Sequence, residues 1–231
     1  MKLHTVFITH NRLELTKITI ESYLETVTVP FTFTMVDNAS TDGTVEWLKT
    51  HYGGWLVLAE VNQYPGRATN VGWSFVDGDN ESSDATHLHR SDNDFRFLSG
   101  WCEEVQRMFD ANPRLGQLGL RTDKEDGYEP TNTGGNCVIR RELWDAGLRY
   151  DERPWGEYDP GYSEDSFFSP KVVEMGWEWG RVKRRCIQNL ASGDWSDPYY
   201  QDSYGKRGIR PRRNDPTVPE GWDKGYAGGP R

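Results

Sequence analysis

Apolar and polar positions along the first hundred residues alternate between two periods, one suited to strands and one to helices. Residues 5–9 are β-rich. Asn11 with Glu14 three residues later then has the form of a capping box, and Leu15, Ile18 and Ser22, flanked by Ile20 and Leu24, give a helix one apolar face. Phe31, Phe33 and Met35 alternate with threonines as a half-buried strand does, and that strand runs out at Val36 and Asp37. Ser40 or Thr41 is expected to cap a second helix through Trp47 and Leu48. Residues 55–59 predict a third strand, 66–76 a third helix, and 85–90 a fourth strand that stops at Ser91-Asp92-Asn93-Asp94. Alternating units of this length predict an α/β chain with a mostly parallel sheet, right-handed crossovers and helices on both faces. Ligands of such sheets collect beyond the carboxyl ends of the strands, where Asp37 and the Asp92/Asp94 pair fall.

The second half has a different texture. Trp101, Val105, Met108 and Phe109 stand at helical spacing, short strands are expected near 117–121 and 136–140, and a helix from about Asp165, so this half reads as mixed α+β. From about Asp194 the chain is rich in Gly, Pro, Asp and Arg without periodicity. With 231 residues, one domain is expected over 1–202, made of a ligand-binding half (1–98) and a mixed half (99–202), followed by a loop-rich tail over 203–231.

Charge and cysteine usage narrow the function classes. A formal net charge of −9 disfavours unaided binding to nucleic acid, which needs a basic face to release counterions. Cys102, Cys137 and Cys186 show no metal-ligand spacing and read as buried thiols in a reducing compartment. No apolar stretch approaches the roughly 20 residues of a membrane span, so the cytoplasm is the expected location. GxSxG, HExxH and P-loop patterns are absent from the sequence, against serine hydrolase, zincin and P-loop kinase chemistry.

Four constellations carry candidate chemistry. Asp92 and Asp94, one residue apart at a strand end, can converge on one hard divalent cation, magnesium or manganese; alone, the tripeptide also fits a solvated Asx turn. Asp37 precedes a helix start and can accept from a base N–H or a ribose hydroxyl, whereas Ser40, Thr41, Asp42 and Gly43 suit ordinary capping. Asn62, Asn70 and Gly72 surround Pro65-Gly66-Arg67, a loop entering a helix, where Arg67 can reach a phosphate or simply face solvent. Glu164-Asp165 opens a helix behind Trp155, Glu157, Tyr158 and Tyr162; such a carboxylate suits either the helix dipole or general-base work. All five histidines precede Asp92, and His87 and His89 share a strand face, which favours a structural role. The run Lys206, Arg207, Arg210, Arg212 and Arg213 fits a solvated tail or a lid over a diphosphate.

In this order the signals resemble the family 2 inverting glycosyltransferases of GT-A fold, in the manner of small bacterial or phage-encoded members. Thr9-His10-Asn11-Arg12 is similar to the family's Thr-Tyr-Asn-Arg, and residues 36–44 to its Val-Asp-Asp-Gly-Ser-Thr-Asp-Gly-Thr. Asn62, Asn70 and Gly72 match its next motif, Asp92-Asn93-Asp94 its DxD metal motif, Gly134-Gly135-Asn136 its glycine-led strand, and Glu164-Asp165 its Glu-Asp pair. The resemblance implies a Rossmann-like nucleotide-binding sheet and transfer of a sugar from a nucleotide diphosphate, UDP favoured, to a hydroxyl of a protein or glycan. It further implies that Thr9, His10, Asn11, Arg12, Asp37, Asn62, Arg67, Asn70, Asp92, Asn93 and Gly135 line the donor site. Asp92 and Asp94 would hold manganese or magnesium, with Asn189 or Asp194 in place of the family's late histidine, and Asp165, beside Glu164, would be the base. Ile8, Tyr64 and Thr69 depart from the family's usual proline, glycine and arginine. A sugar-phosphate nucleotidyltransferase and a non-catalytic carbohydrate-binding module are the competing readings.

Overall fold

The structure is a computed structural model, described here for residues 1–121, 133–159 and 162–191. Its elements in chain order are β1 (Leu3–Thr9), α1 (Leu13–Thr26), β2 (Phe31–Asp37), α2 (Thr44–Tyr52), β3 (Leu56–Leu58), α3 (Tyr64–Trp73), β4 (His87–Asp92), β5 (Phe95–Phe97), α4 (Trp101–Ala111), β6 (Leu115–Arg121), β7 (Cys137–Arg140), α5 (Arg141–Asp145), α6 (Phe168–Glu174), β8 (Glu178–Arg185) and β9 (Ile187–Asn189). Seven strands form one sheet in the order β3-β2-β1-β4-β7-β6-β8, and β5 pairs with β9 in a small separate ribbon. Among the described residues of the seven-stranded sheet, only β7 runs against its neighbours, and β5 and β9 are antiparallel to each other.

Alternation along β1 explains why both faces are covered. Leu3 and Phe7 point into one core with Ile20 and Tyr23 of α1, Leu48 of α2, and Trp101, Val105 and Phe109 of α4. Val6 and Ile8 point into the other, with Ala68 and Trp73 of α3, Leu143 and Trp144 of α5, and Phe168 and Val172 of α6. A sheet buried on both faces by crossover helices is the arrangement expected of consecutive β-α units. Gly72 lets α3 approach the sheet: a β-carbon there would lie 2.2 Å from Val6 Cγ2. All three cysteines are buried free thiols. No helix among the described residues is long and apolar enough to cross a membrane.

Several local expectations change. The buried face of α1 is Thr16, Thr19, Ile20, Ser22 and Tyr23, with Leu15 and Ile18 only half-buried. Asn11 does not cap α1; the capping position is Arg12, in the left-handed region at φ 65° with no side-chain bond. Ser40 and Thr41 do not cap α2, whose first residue Thr44 receives that service from Asp42, with Oδ1 accepting from Thr44 N at 3.1 Å and Oγ1 at 2.6 Å. The fourth strand runs on through Asp92, so that residue is the last of β4. The elements β5, α5, β8 and β9 were not expected from the sequence pattern.

Candidate active site

Parallel pairing of β1 with β2 and β4 sets three strand ends side by side, with Thr9 opposite Asp37 and Ile8 opposite Asp92. Asp37 is buried and fixed by three donors: Thr9 Oγ1 at 2.9 Å, Ser40 N at 2.8 Å and Ser40 Oγ at 2.6 Å. Asn11 ties the exit of β1 to the same loop, donating its N–H to Ser40 Oγ at 2.7 Å and accepting from Thr41 N at 2.8 Å. His10 donates from Nδ1 to the Asn38 carbonyl at 2.7 Å. Asn11, Arg12 and Ala39 all adopt left-handed backbone, at φ 55°, 65° and 63°. Strained residues of this kind persist where surrounding bonds over-determine them, and here those bonds cross between two strand ends.

Beyond β4 the chain turns through Asp92-Asn93-Asp94. Arg12 Nη1 lies 3.2 Å from Asp94 Oδ2, with both side chains nearly buried. Asn93 points inward, its Nδ2 donating to Asn11 O at 2.8 Å and to Thr16 Oγ1 at 2.9 Å. The amide hydrogens of Asn93, a residue expected to line the donor site, thus bond within the protein. Pairing of β5 with β9 brings Asn189 opposite Phe95, and Leu190 N donates to Asp94 O at 2.8 Å. Asn189 Oδ1 accepts from Ala191 N at 3.1 Å.

Glu164 and Asp165 lie in a 3-10 turn, Glu164–Phe167, that leads into α6. Glu164 is buried, with Oε1 accepting from Arg90 Nη2 at 2.9 Å and Oε2 from Trp155 Nε1 at 2.9 Å. Burial pushes its carboxyl pKa up and Arg90 opposes the rise. Both oxygens of Glu164, expected beside the base, are thus held by interior donors, whereas Asp165 is the more exposed of the two. Asp165 is half-buried and accepts from Ser163 Oγ and, at 3.5 Å, from Ser166 Oγ, residues that also form a capping box at this turn. The glycine pair of 134–135 leaves it room. A β-carbon on Gly134 would lie 2.7 Å from Asp165 O, and one on Gly135 3.4 Å from Asp165 Oδ2.

The decisive finding is a match of the family model described as "Glycosyl transferase family 2" over residues 5–159, two thirds of the chain, which includes the Asp37 and Asp92/Asp94 segments. The chain belongs to glycosyl transferase family 2. Its fold is GT-A, as in the S. aureus TarS 1-349 structure, at 15% identity and TM-score 0.62 over 85% of this chain and 62% of that one. TarS 1-349 in complex with UDP-GlcNAc gives TM-score 0.63 at 15% identity, over 82% of this chain and 58% of that one. Mannosyltransferase PcManGT from Pyrobaculum calidifontis, in complex with GDP-Man and Mn2+, gives 0.57 at 15% identity, over 89% and 68%. The chain thus spans about three fifths of the TarS 1-349 structure. No curated protein matches it in sequence.

In this family 2 chain the third motif divides its labour. Asn62 Oδ1 accepts from Tyr64 N at 2.9 Å, an Asx turn that starts α3. Tyr64, which stands where the family has glycine, keeps left-handed backbone at φ 61°. Arg67 is exposed on α3. Asn70, also expected to line the donor site, ties α3 to the segment after α5: it donates to Tyr150 O at 3.0 Å and Glu152 Oε1 at 2.8 Å and accepts from Tyr150 N at 3.0 Å. Asp194 and the basic run of 206–213 lie outside the described residues.

Arg90 is the site residue that pattern reading missed. Its buried guanidinium donates to Asp92 Oδ1 from Nε at 3.3 Å and Nη2 at 3.2 Å, reaches Glu164, and lies 4.9 Å from the centre of the Tyr150 ring. The available signal was the two-residue strand period, which puts Arg90 and Asp92 on one face of β4.

The donor set suits a hard divalent ion. Asp92 and Asp94 supply anionic oxygen, the ligand type of magnesium and manganese, which keep further positions for water and phosphate oxygen. The protein packed around Asp92 pushes its carboxyl pKa up. Arg90 opposes this, and Asp94 and Asp165 push the same way, a clustering of like charge that a cation relieves. Among the described residues no three His, Cys, Asp or Glu side chains form a ligand cluster.

Proposed function

We propose that the chain transfers a sugar, with inversion, from a nucleotide diphosphate sugar to a hydroxyl of a protein or glycan, with a divalent cation bound by Asp92 and Asp94. The observation that carries this reading is the Arg90 guanidinium, which bonds Asp92 and Glu164 together and so sets the strand-end carboxylates beside the Glu164-Asp165 turn. A nucleotide-sugar donor is supported by the family and by the UDP, UDP-GlcNAc and GDP-Man in the similar structures, two of the three being UDP ligands.

Each residue has a derivable part. Asp37, held at the end of β2, accepts from the base or ribose. Arg12 and Arg67 are the cations on the diphosphate side. A divalent ion at Asp92 and Asp94 supplies Lewis-acid stabilisation of the charge that develops on the leaving diphosphate. Asp165 takes the acceptor hydroxyl proton as the acceptor oxygen bonds to the anomeric carbon, while the bond from that carbon to the diphosphate oxygen breaks with its electron pair going to the diphosphate. A single attack from the side of the base reverses the anomeric configuration.

A thermal-shift screen of UDP, GDP, dTDP and CDP, each with manganese and with EDTA, tests the reading, since a ligand that binds only the native state raises the midpoint. A manganese-dependent shift with UDP is expected. No shift with any nucleotide would overturn the proposal.

A further inference from the structure

Beside Ile20 and Tyr23, the buried face of α1 carries Thr16, Thr19 and Ser22, whose hydroxyls form a ladder. Thr16 and Thr19 have no exposed surface and Ser22 is 8% exposed, positions where an amphipathic helix normally carries apolar side chains. Each hydroxyl is engaged twice. Thr19 Oγ1 donates to Leu15 O at 2.9 Å and accepts from Phe95 N at 3.1 Å. Ser22 Oγ donates to Thr19 O at 3.1 Å and accepts from Phe97 N at 3.0 Å. Thr16 Oγ1 accepts from Asn93 Nδ2 at 2.9 Å, and Thr26 Oγ1 donates to Ser22 O at 2.6 Å and accepts from Trp101 Nε1 at 3.1 Å. The rungs recur every three or four residues on the helix and receive donors from 93, 95, 97 and 101.

Capping of β5 explains the pattern. One edge of β5 pairs with β9, and the N–H groups of Phe95 and Phe97 on the other edge meet α1 rather than a strand. Buried backbone donors require partners. A helix has no backbone acceptors to spare along its length, so only side-chain oxygens can meet them, and a hydroxyl that donates back to its own helix presents its lone pair outward. The ladder continues into the Asp92-Asn93-Asp94 turn at its middle and last residues: Asn93 hangs on the first rung, and Arg12, just before α1, pairs with Asp94.

We propose that Thr16, Thr19 and Ser22 are positioning residues that set the Asp92-Asn93-Asp94 turn against Arg12 and so fix the separation of the two metal-holding carboxylates. This rests on the reading of Asp92 and Asp94 as that pair. Valine replaces threonine at nearly constant shape and removes the hydroxyl, at Thr19 both the donor to Leu15 O and the acceptor for Phe95 N, so Thr19→Val and Thr16→Val are the informative variants and Thr19→Ser the conservative one.

Two measurements on the full chain test it: hydrogen exchange of the peptide spanning 91–98, and manganese affinity in the presence of saturating UDP. Thr19→Val is expected to speed exchange of that peptide and to weaken manganese binding about tenfold, in the range set by stranding one buried donor. Thr19→Ser should restore both. Unchanged exchange in Thr19→Val, or faster exchange with manganese affinity equal to wild type, would overturn the proposal. A wild-type protein that binds no manganese with UDP would instead overturn the metal reading itself, and the proposal with it.

Discussion

Arg90 and Glu164 form a buried ion pair, Nη2 to Oε1 at 2.9 Å, with their side chains 2% and 4% exposed. The same guanidinium holds Asp92, so one cation ties the last residue of β4 to the turn that carries Asp165. Removing one member of such a pair strands a charge where water cannot reach it. We expect Arg90→Met to lower unfolding free energy by about 3–5 kcal/mol. Adding Glu164→Gln should recover a large part, because the stranded charge is then gone. Urea denaturation of the single and double variants checks this.

The site residues were legible in the sequence where their position follows from the backbone. Asp37 and Asp92 end strands whose alternation and β-α spacing are plain, and parallel pairing then brings those ends together whatever the side chains do. The strand period puts Arg90 on the face of Asp92, but it does not distinguish a strand arginine that faces solvent from one that also reaches Glu164, 74 residues further along the chain. The protein partners of Asn70 and Asn93 were not legible for a related reason. A motif asparagine can serve a ligand or the chain, and only the positions of Tyr150, Asn11 and Thr16 decide between them. The face of α1 was misread because periodicity counts apolar side chains, and this helix buries hydroxyls against strand amides.

The buried histidines predict a pH dependence of stability. His4, His87 and His89 each have a pKa lowered to about 4, chiefly by burial, and Gly72 and Asn136 oppose the shift at His4 and His89. In the unfolded chain each takes up a proton near pH 6.5, so between the two values the unfolded state binds more protons and stability rises with pH. It is lost as pH falls from 6.5 towards 4, with each histidine contributing at most about 1.4 kcal/mol per pH unit. His87→Gln should flatten the slope by one such contribution, as measured by urea unfolding at pH 7 and pH 5.

Asp165 carries the base assignment. Asp165→Asn keeps the shape and loses the ability to take a proton, so transfer should fall by about 10²–10⁴ while nucleotide affinity stays within error of wild type. Product formation measured beside nucleotide binding separates the two effects. Equal transfer by the variant would remove Asp165 from the role.

The central claim is that Asp92 and Asp94 bind a nucleotide diphosphate through a divalent cation. Calorimetric titration of UDP into wild-type protein and Asp94→Ala, with manganese and then with EDTA, tests it most directly. The account predicts binding by wild type with manganese, lost in EDTA and lost in Asp94→Ala. UDP binding of equal strength in EDTA, or retained by Asp94→Ala, would contradict it.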